Sequence, residues 1–209
     1  MYLRRFAILL AALFVFSTIS RAQKADVAFV AGGSFSSDAK VTGGILCITT
    51  PCPTLTISSH HQYFLEGTGA LRLANFKLAS LHVELPVAAI PSAITGGGNT
   101  TLTSIYVTPS LRIKLAPGAP ISPFASVGGG WAHYSILDVT TNKGALQFGG
   151  GVDIKLGLPL LAFRAEVRDF VTGQPDFGIL VASVTTPGTL ANNDRRHNVL
   201  AGGGIVLRF

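Results

Sequence analysis

The chain has 209 residues, of which 12 % are charged and 48 % hydrophobic, with 24 glycines and 11 prolines. That charged fraction is about half of what a soluble domain carries, and the apolar content excludes a disordered chain. So much glycine and proline also excludes a helical bundle, since each costs about 1 to 3 kcal/mol in a helix interior.

The first element is a leader. Arg4 and Arg5 precede an apolar run, Phe6 to Ile19, of 14 residues. A helix crossing a hydrocarbon layer needs about 20. Ser20-Arg21-Ala22 follows with small residues where a signal peptidase reads, so residues 1–22 are expected to be a cleaved secretory signal and 23–209 the mature domain. Without Arg4, Arg5 and Arg21 the chain keeps 13 basic against 10 acidic residues, a balance that points to no nucleic acid. Cys47 and Cys52 then lie in ILCITTPCPTL. In an exported protein a local disulfide is the expected reading. The other is a metal site completed by His60 and His61, although a lone C-x4-C pair is a poor start for zinc.

Beyond the leader, alternation with period two marks eight strands: 25–35, 61–74, 78–88, 104–115, 122–135, 147–157, 161–171 and 197–209. Each is 11 to 14 residues long, whereas soluble strands average about 5 or 6 and a tilted strand crossing a bilayer needs about 9 to 11. Connections alternate too. Those at 36–60, 89–103, 136–146 and 172–196 are long, while those at 75–77, 116–121 and 158–160 are short. Such sorting of loops and turns to opposite rims is how outer-membrane barrels are built.

Following each strand by parity separates two faces. One is nearly free of charge and rich in Leu, Val, Ile and Phe. The other carries Asp26, Glu66, Arg72, Glu84, Arg112, Lys114, Asp153, Lys155, Arg164, Glu166, Arg168 and Arg208. A soluble, lipocalin-like barrel would turn the apolar face inward, and a membrane barrel turns it out. Long strands, mixed-sign charges and abundant glycine favour the second: an all-β, closed eight-stranded antiparallel up-and-down transmembrane β-barrel. Its interior would be a charge-paired polar network, because buried charges need partners. With eight strands the side chains just fill the lumen, so a plugged core is expected ahead of a narrow pore for small solutes.

The last strand, GGGIVLRF, resembles the carboxy-terminal signal of outer-membrane β-barrel proteins through Gly204, Leu207 and Phe209. FRAEVRDF at 163–170 likewise resembles the penultimate strand of small outer-membrane barrel domains. This resemblance implies an outer-membrane location in a Gram-negative envelope, outer-membrane lipids as surroundings, and the barrel-assembly machinery as a partner during biogenesis. His133 and Ser135 also resemble the His-x-Ser dyad of outer-membrane lipid A deacylases, but Ile136 stands where that family has asparagine and only Asp138 offers a nearby acid. An interfacial histidine beside Trp131 is the expected reading. The triple-glycine stretches lack the lysine of a phosphate loop. No cofactor or metal motif stands out, and binding is expected in the long loops 36–60 and 172–196. The sequence therefore reads as a non-enzymatic outer-membrane protein with structural or adhesive roles.

Overall fold

The computed structural model describes residues 25–36, 39–42, 54–57, 62–94, 100–136, 139–158, 160–173 and 195–209. The leader, both cysteines, His60, His61 and Asp138 lie outside the described residues. The barrel wall is formed by β1 (Ala25–Ser36), β4 (Gln62–Asn75), β5 (Ala79–Ile94), β6 (Thr100–Val107) with β7 (Ser110–Leu115), β8 (Ile121–Ile136), β9 (Val139–Lys155), β10 (Leu161–Gly173) and β11 (Arg195–Arg208). Within the first long connection, β2 (Ala39–Thr42) and β3 (Thr54–Ile57) pair as a separate two-stranded sheet.

β6 and β7 are one barrel strand broken at Thr108 and Pro109. Proline has no N–H for the ladder, which explains the interruption. The break is bridged by the Thr108 amide donating to the Pro86 carbonyl at 3.3 Å, and the Gly129 amide to the Pro109 carbonyl at 3.2 Å. Counted this way there are eight strands, each antiparallel to its neighbours, and β1 closes the ring by pairing with both β11 and β4.

The register fixes the shape. Pair partners followed around the wall from Asp26 run through Ala70, Glu84, Ser110, Gly128, Gln147, Phe170 and Asn198, and return to β1 at Ser36, ten residues higher. With eight strands that stagger corresponds to a tilt of about 40°. Lipid accepts only such closed sheets, since a free edge leaves amides unsatisfied.

Polarity is inverted relative to a soluble barrel. Leu111 is 49 % exposed and Arg112 beside it 0 %, and the same contrast holds between Val167 and Arg168. This rules out the soluble alternative. On β8 the outward apolar residues run from Ile121 to Trp131, and along β9 and just past its end from Leu146 to Leu156, ten residue steps in each case. At about 3.3 Å per residue and that tilt, the band is about 25 Å tall, the height of a membrane barrel's apolar belt.

Several connections are shorter than the alternation suggests. β5 runs on to Ile94 and β6 starts at Thr100, and β10 reaches Gly173. The segment 136–146, expected to be a long loop, is largely strand: Ile136 pairs with Val139, and pairing continues through His133 and Asn142. Thr140, Thr141, Asn142 and Lys143 hide this extension, because beyond the lipid neither face of a strand needs apolar residues. At the other rim, Phe76 donates to the Ala79 carbonyl at 2.7 Å and Ala119 to Ala116 at 2.9 Å, closing tight turns.

Candidate functional site

The lumen is packed in three tiers. Nearest the turns, Asp153 on β9 accepts two hydrogen bonds from Arg164 on β10, at 2.8 and 3.2 Å, together with one from Lys114 on β7 and one from Arg208 at 3.4 Å. Phe124 supports this tier, its ring 4.7 Å from the Arg164 guanidinium and 5.5 Å from that of Arg112. Asp26, which the charged parity also contains, takes Arg112 at 3.2 Å.

Arg168 organises the middle tier. It reaches Glu166 at 3.0 Å, Glu66 at 3.1 Å and Glu84 at 2.9 Å. Glu84 also lies 3.3 Å from Arg112, and Thr68 donates to Glu66 at 2.7 Å. Because β10 and β5 stand four places apart in the eight-membered ring, the contact between Arg168 and Glu84 spans a diameter. Ser110 and Gln147 join β7 to β9 by a 2.5 Å hydrogen bond at a neighbouring level.

The tier nearest the loops is aromatic. Tyr106 stacks on Phe170 with centroids 4.6 Å apart and meets Tyr134 edge-on at 6.1 Å. Tyr134 bonds Thr172 at 2.7 Å, and Phe64, Ile90 and Leu200 fill the space around them. This layer and Arg196, whose guanidinium lies 5.8 Å from the Tyr134 ring, had no counterpart in the charge pattern.

Three residues grouped with the interior charges sit differently. Lys155 is exposed and donates to the Gly118 carbonyl at 2.5 Å, because its position on β9 is already at the turn rim. Arg72 is half-buried with its Nε unpartnered, where a register shift between Arg72 and Ala74 bends β4. Arg208 is half-buried at the same rim and from there still reaches Asp153.

Glycines make room for the long chains of β10. Arg164 pairs across to Gly204, Glu166 lies between Gly151 and Gly202, and Arg168 faces Gly149. A Cβ at Gly204 would run into the Phe29 carbonyl, and one at Gly151 into the Ala165 carbonyl. Gly204 thus has a packing reason of its own, separate from its place in the terminal signal. Leu207 and Phe209 point outward, and the Phe209 amide donates to the Ala25 carbonyl at 2.8 Å.

On the outer face, His133 is half-buried and its Nδ1 lies 2.8 Å from the Asn142 Oδ1 across the β8–β9 hairpin. Ser135 shares that face, yet among the described residues no hydrogen bond joins it to His133. A carboxamide orients an imidazole but supplies no counter-charge to the cation a general base becomes. Asp169 and His197 form a second outward pair at 2.7 Å. Among the described residues no group of three His, Cys, Asp or Glu side chains could hold a metal.

No protein-family model matches the chain, and no curated protein matches it either. Among solved structures it is similar to Neisserial surface protein A, with a TM-score of 0.53 at 12 % identity, over 89 % of this chain and 97 % of that one. It is also similar to the outer membrane protein OprG of Pseudomonas aeruginosa, with a TM-score of 0.53 at 8 % identity, over 90 % of this chain and 96 % of that one. At these identities what is shared is the fold, that of small eight-stranded outer-membrane barrels.

Proposed function

We propose that this outer-membrane β-barrel is a non-enzymatic, non-conducting protein whose rigid lumen supports a binding surface at its loop end. The observation that carries the reading is the Arg168–Glu84 chord across the lumen, flanked by the Asp153 cluster below and the Tyr106–Phe170 stack above. An ion would have to displace paired charges at two levels and part an aromatic layer at the third. Breaking one partner of a buried pair costs about 3 to 5 kcal/mol, so the tiers resist opening.

With short turns in the periplasm, the loops face outward from the cell. The connections at 36–60 and 172–196, together with the β8–β9 extension, are then the surfaces offered to a partner. The sequence elements Gly204, Leu207 and Phe209 suit recognition by the barrel-assembly machinery, and the apolar belt suits outer-membrane lipid. Against a hydrolase at His133 and Ser135 stands the partner of the histidine among the described residues, the Asn142 carboxamide, which carries no charge.

Conductance of the refolded protein in a planar bilayer tests the reading. It is expected to leave the lipid's background current unchanged, and discrete current steps would assign the barrel to the pores. Deacylation of lipid A that disappears in Ser135→Ala would establish the enzyme.

A further inference from the structure

Arg196 on β11 faces the lumen near its loop end and is 2 % exposed. Its Nε and Nη1 have no hydrogen-bond partner. The other fully buried cations, Arg112, Lys114, Arg164 and Arg168, each reach at least one carboxylate. Among the described residues Arg196 reaches none, and its guanidinium lies instead over the Tyr134 ring. A guanidinium does not shed its proton in a protein, so burial cannot neutralise it as it can a lysine or a carboxylate. A ring face offsets only part of the cost of holding such a charge out of water.

Two other inward residues share the deficit. Asn198, the next inward residue on β11, is 1 % exposed and its Nδ2 has no partner. Ser34 on β1 is 2 % exposed and its Oγ has none. Asn198 follows Arg196 on the same inward face of β11, while Ser34 lies further along the wall, opposite Leu200. The guanidinium and the carboxamide N–H thus share the inward face of β11 with no acceptor among the described residues. Buried donors are ordinarily satisfied, and a buried cation with neither hydrogen-bond acceptor nor counter-charge calls for a water, an ion or a ligand.

We infer that the loop end of the lumen is a binding site for a small oxyanion of phosphate or sulfate size, held by Arg196 with Asn198. Several oxygens on one anion can serve both donors, and the negative charge compensates the buried guanidinium. The anion is a free one, because the barrel wall separates this face from lipid headgroups. The inference stands whether or not the loops bind a partner.

The test uses the mature protein refolded in neutral detergent and in phosphatidylcholine nanodiscs with and without anionic lipid. Its unfolding midpoint is compared in sodium phosphate and sodium chloride at matched ionic strength. Phosphate is expected to raise the midpoint by several degrees, saturably and equally in all three surroundings. Arg196→Met should lose that rise while being at least as stable as the wild type in chloride. Asn198→Ala should keep the rise but require several-fold more phosphate, and the Arg196 Nε–H resonance of arginine-labelled protein should shift over the same range. Equal midpoints in the two salts, a phosphate rise that survives in Arg196→Met, or one that requires anionic lipid would overturn the inference.

Discussion

Arg168 on β10 bonds Glu84 on β5 across the full width of the lumen, at 2.9 Å. The same guanidinium holds Glu66 and Glu166, so one side chain ties three strands together. Replacing it with an apolar chain of similar length leaves three buried carboxylates short of a cation. Arg168→Met is expected to cost about 3 to 5 kcal/mol, read as a lowered urea midpoint followed by fluorescence of the single tryptophan, Trp131. A double-mutant cycle with Glu84→Gln should return a coupling energy well above that of an exposed pair, and additivity would place the chord outside the stabilising network.

The glycine arrangement makes a second prediction. At Gly204 a Cβ meets the backbone of Phe29 and Val30, which cannot move aside without opening the β1–β11 seam. Gly204→Ala is expected to destabilise by about 1 to 3 kcal/mol. Gly69→Ala is the control, since nothing lies within 4 Å of a Cβ there. Heat-modifiable gel mobility of the two variants separates them.

These two cases show what could be read from the chain. The parity that sorts Leu111 from Arg112, or Val167 from Arg168, is written in the sequence because each face meets a different solvent. Which charge pairs with which depends on the ten-residue stagger, a property of ring closure that no single strand encodes. The β8–β9 extension went unread because Thr140 to Lys143 project beyond the lipid, where the periodic signal vanishes. Arg196 was hidden in a segment read as loop, and Lys155 carries interior parity although β9 has already reached the rim.

Cost at the outer face should depend on depth. Val127 lies near the middle of the apolar run on β8, and Ile121 at its turn-side edge. Val127→Arg is expected to cost about 2 to 4 kcal/mol and Ile121→Arg at most about 1, measured as unfolding free energies in lipid vesicles. Equal penalties would misplace the bilayer.

The terminal phenylalanine separates assembly from stability. Phe209 is 65 % exposed and adds one backbone hydrogen bond. Deleting it is expected to reduce insertion in cells severalfold while refolding into detergent in vitro proceeds with little change. Parallel loss in both settings would make the residue structural.

The inverted polarity of the wall is tested most directly by a spin-label scan of β8 from Ile121 to Trp131 in nanodiscs, with Cys47 and Cys52 replaced by serine. Oxygen accessibility is expected to alternate with period two, highest at Ile121, Pro123, Ala125, Val127, Gly129 and Trp131. Maxima at Ser122, Phe124 and Ser126, or no alternation, would contradict the account.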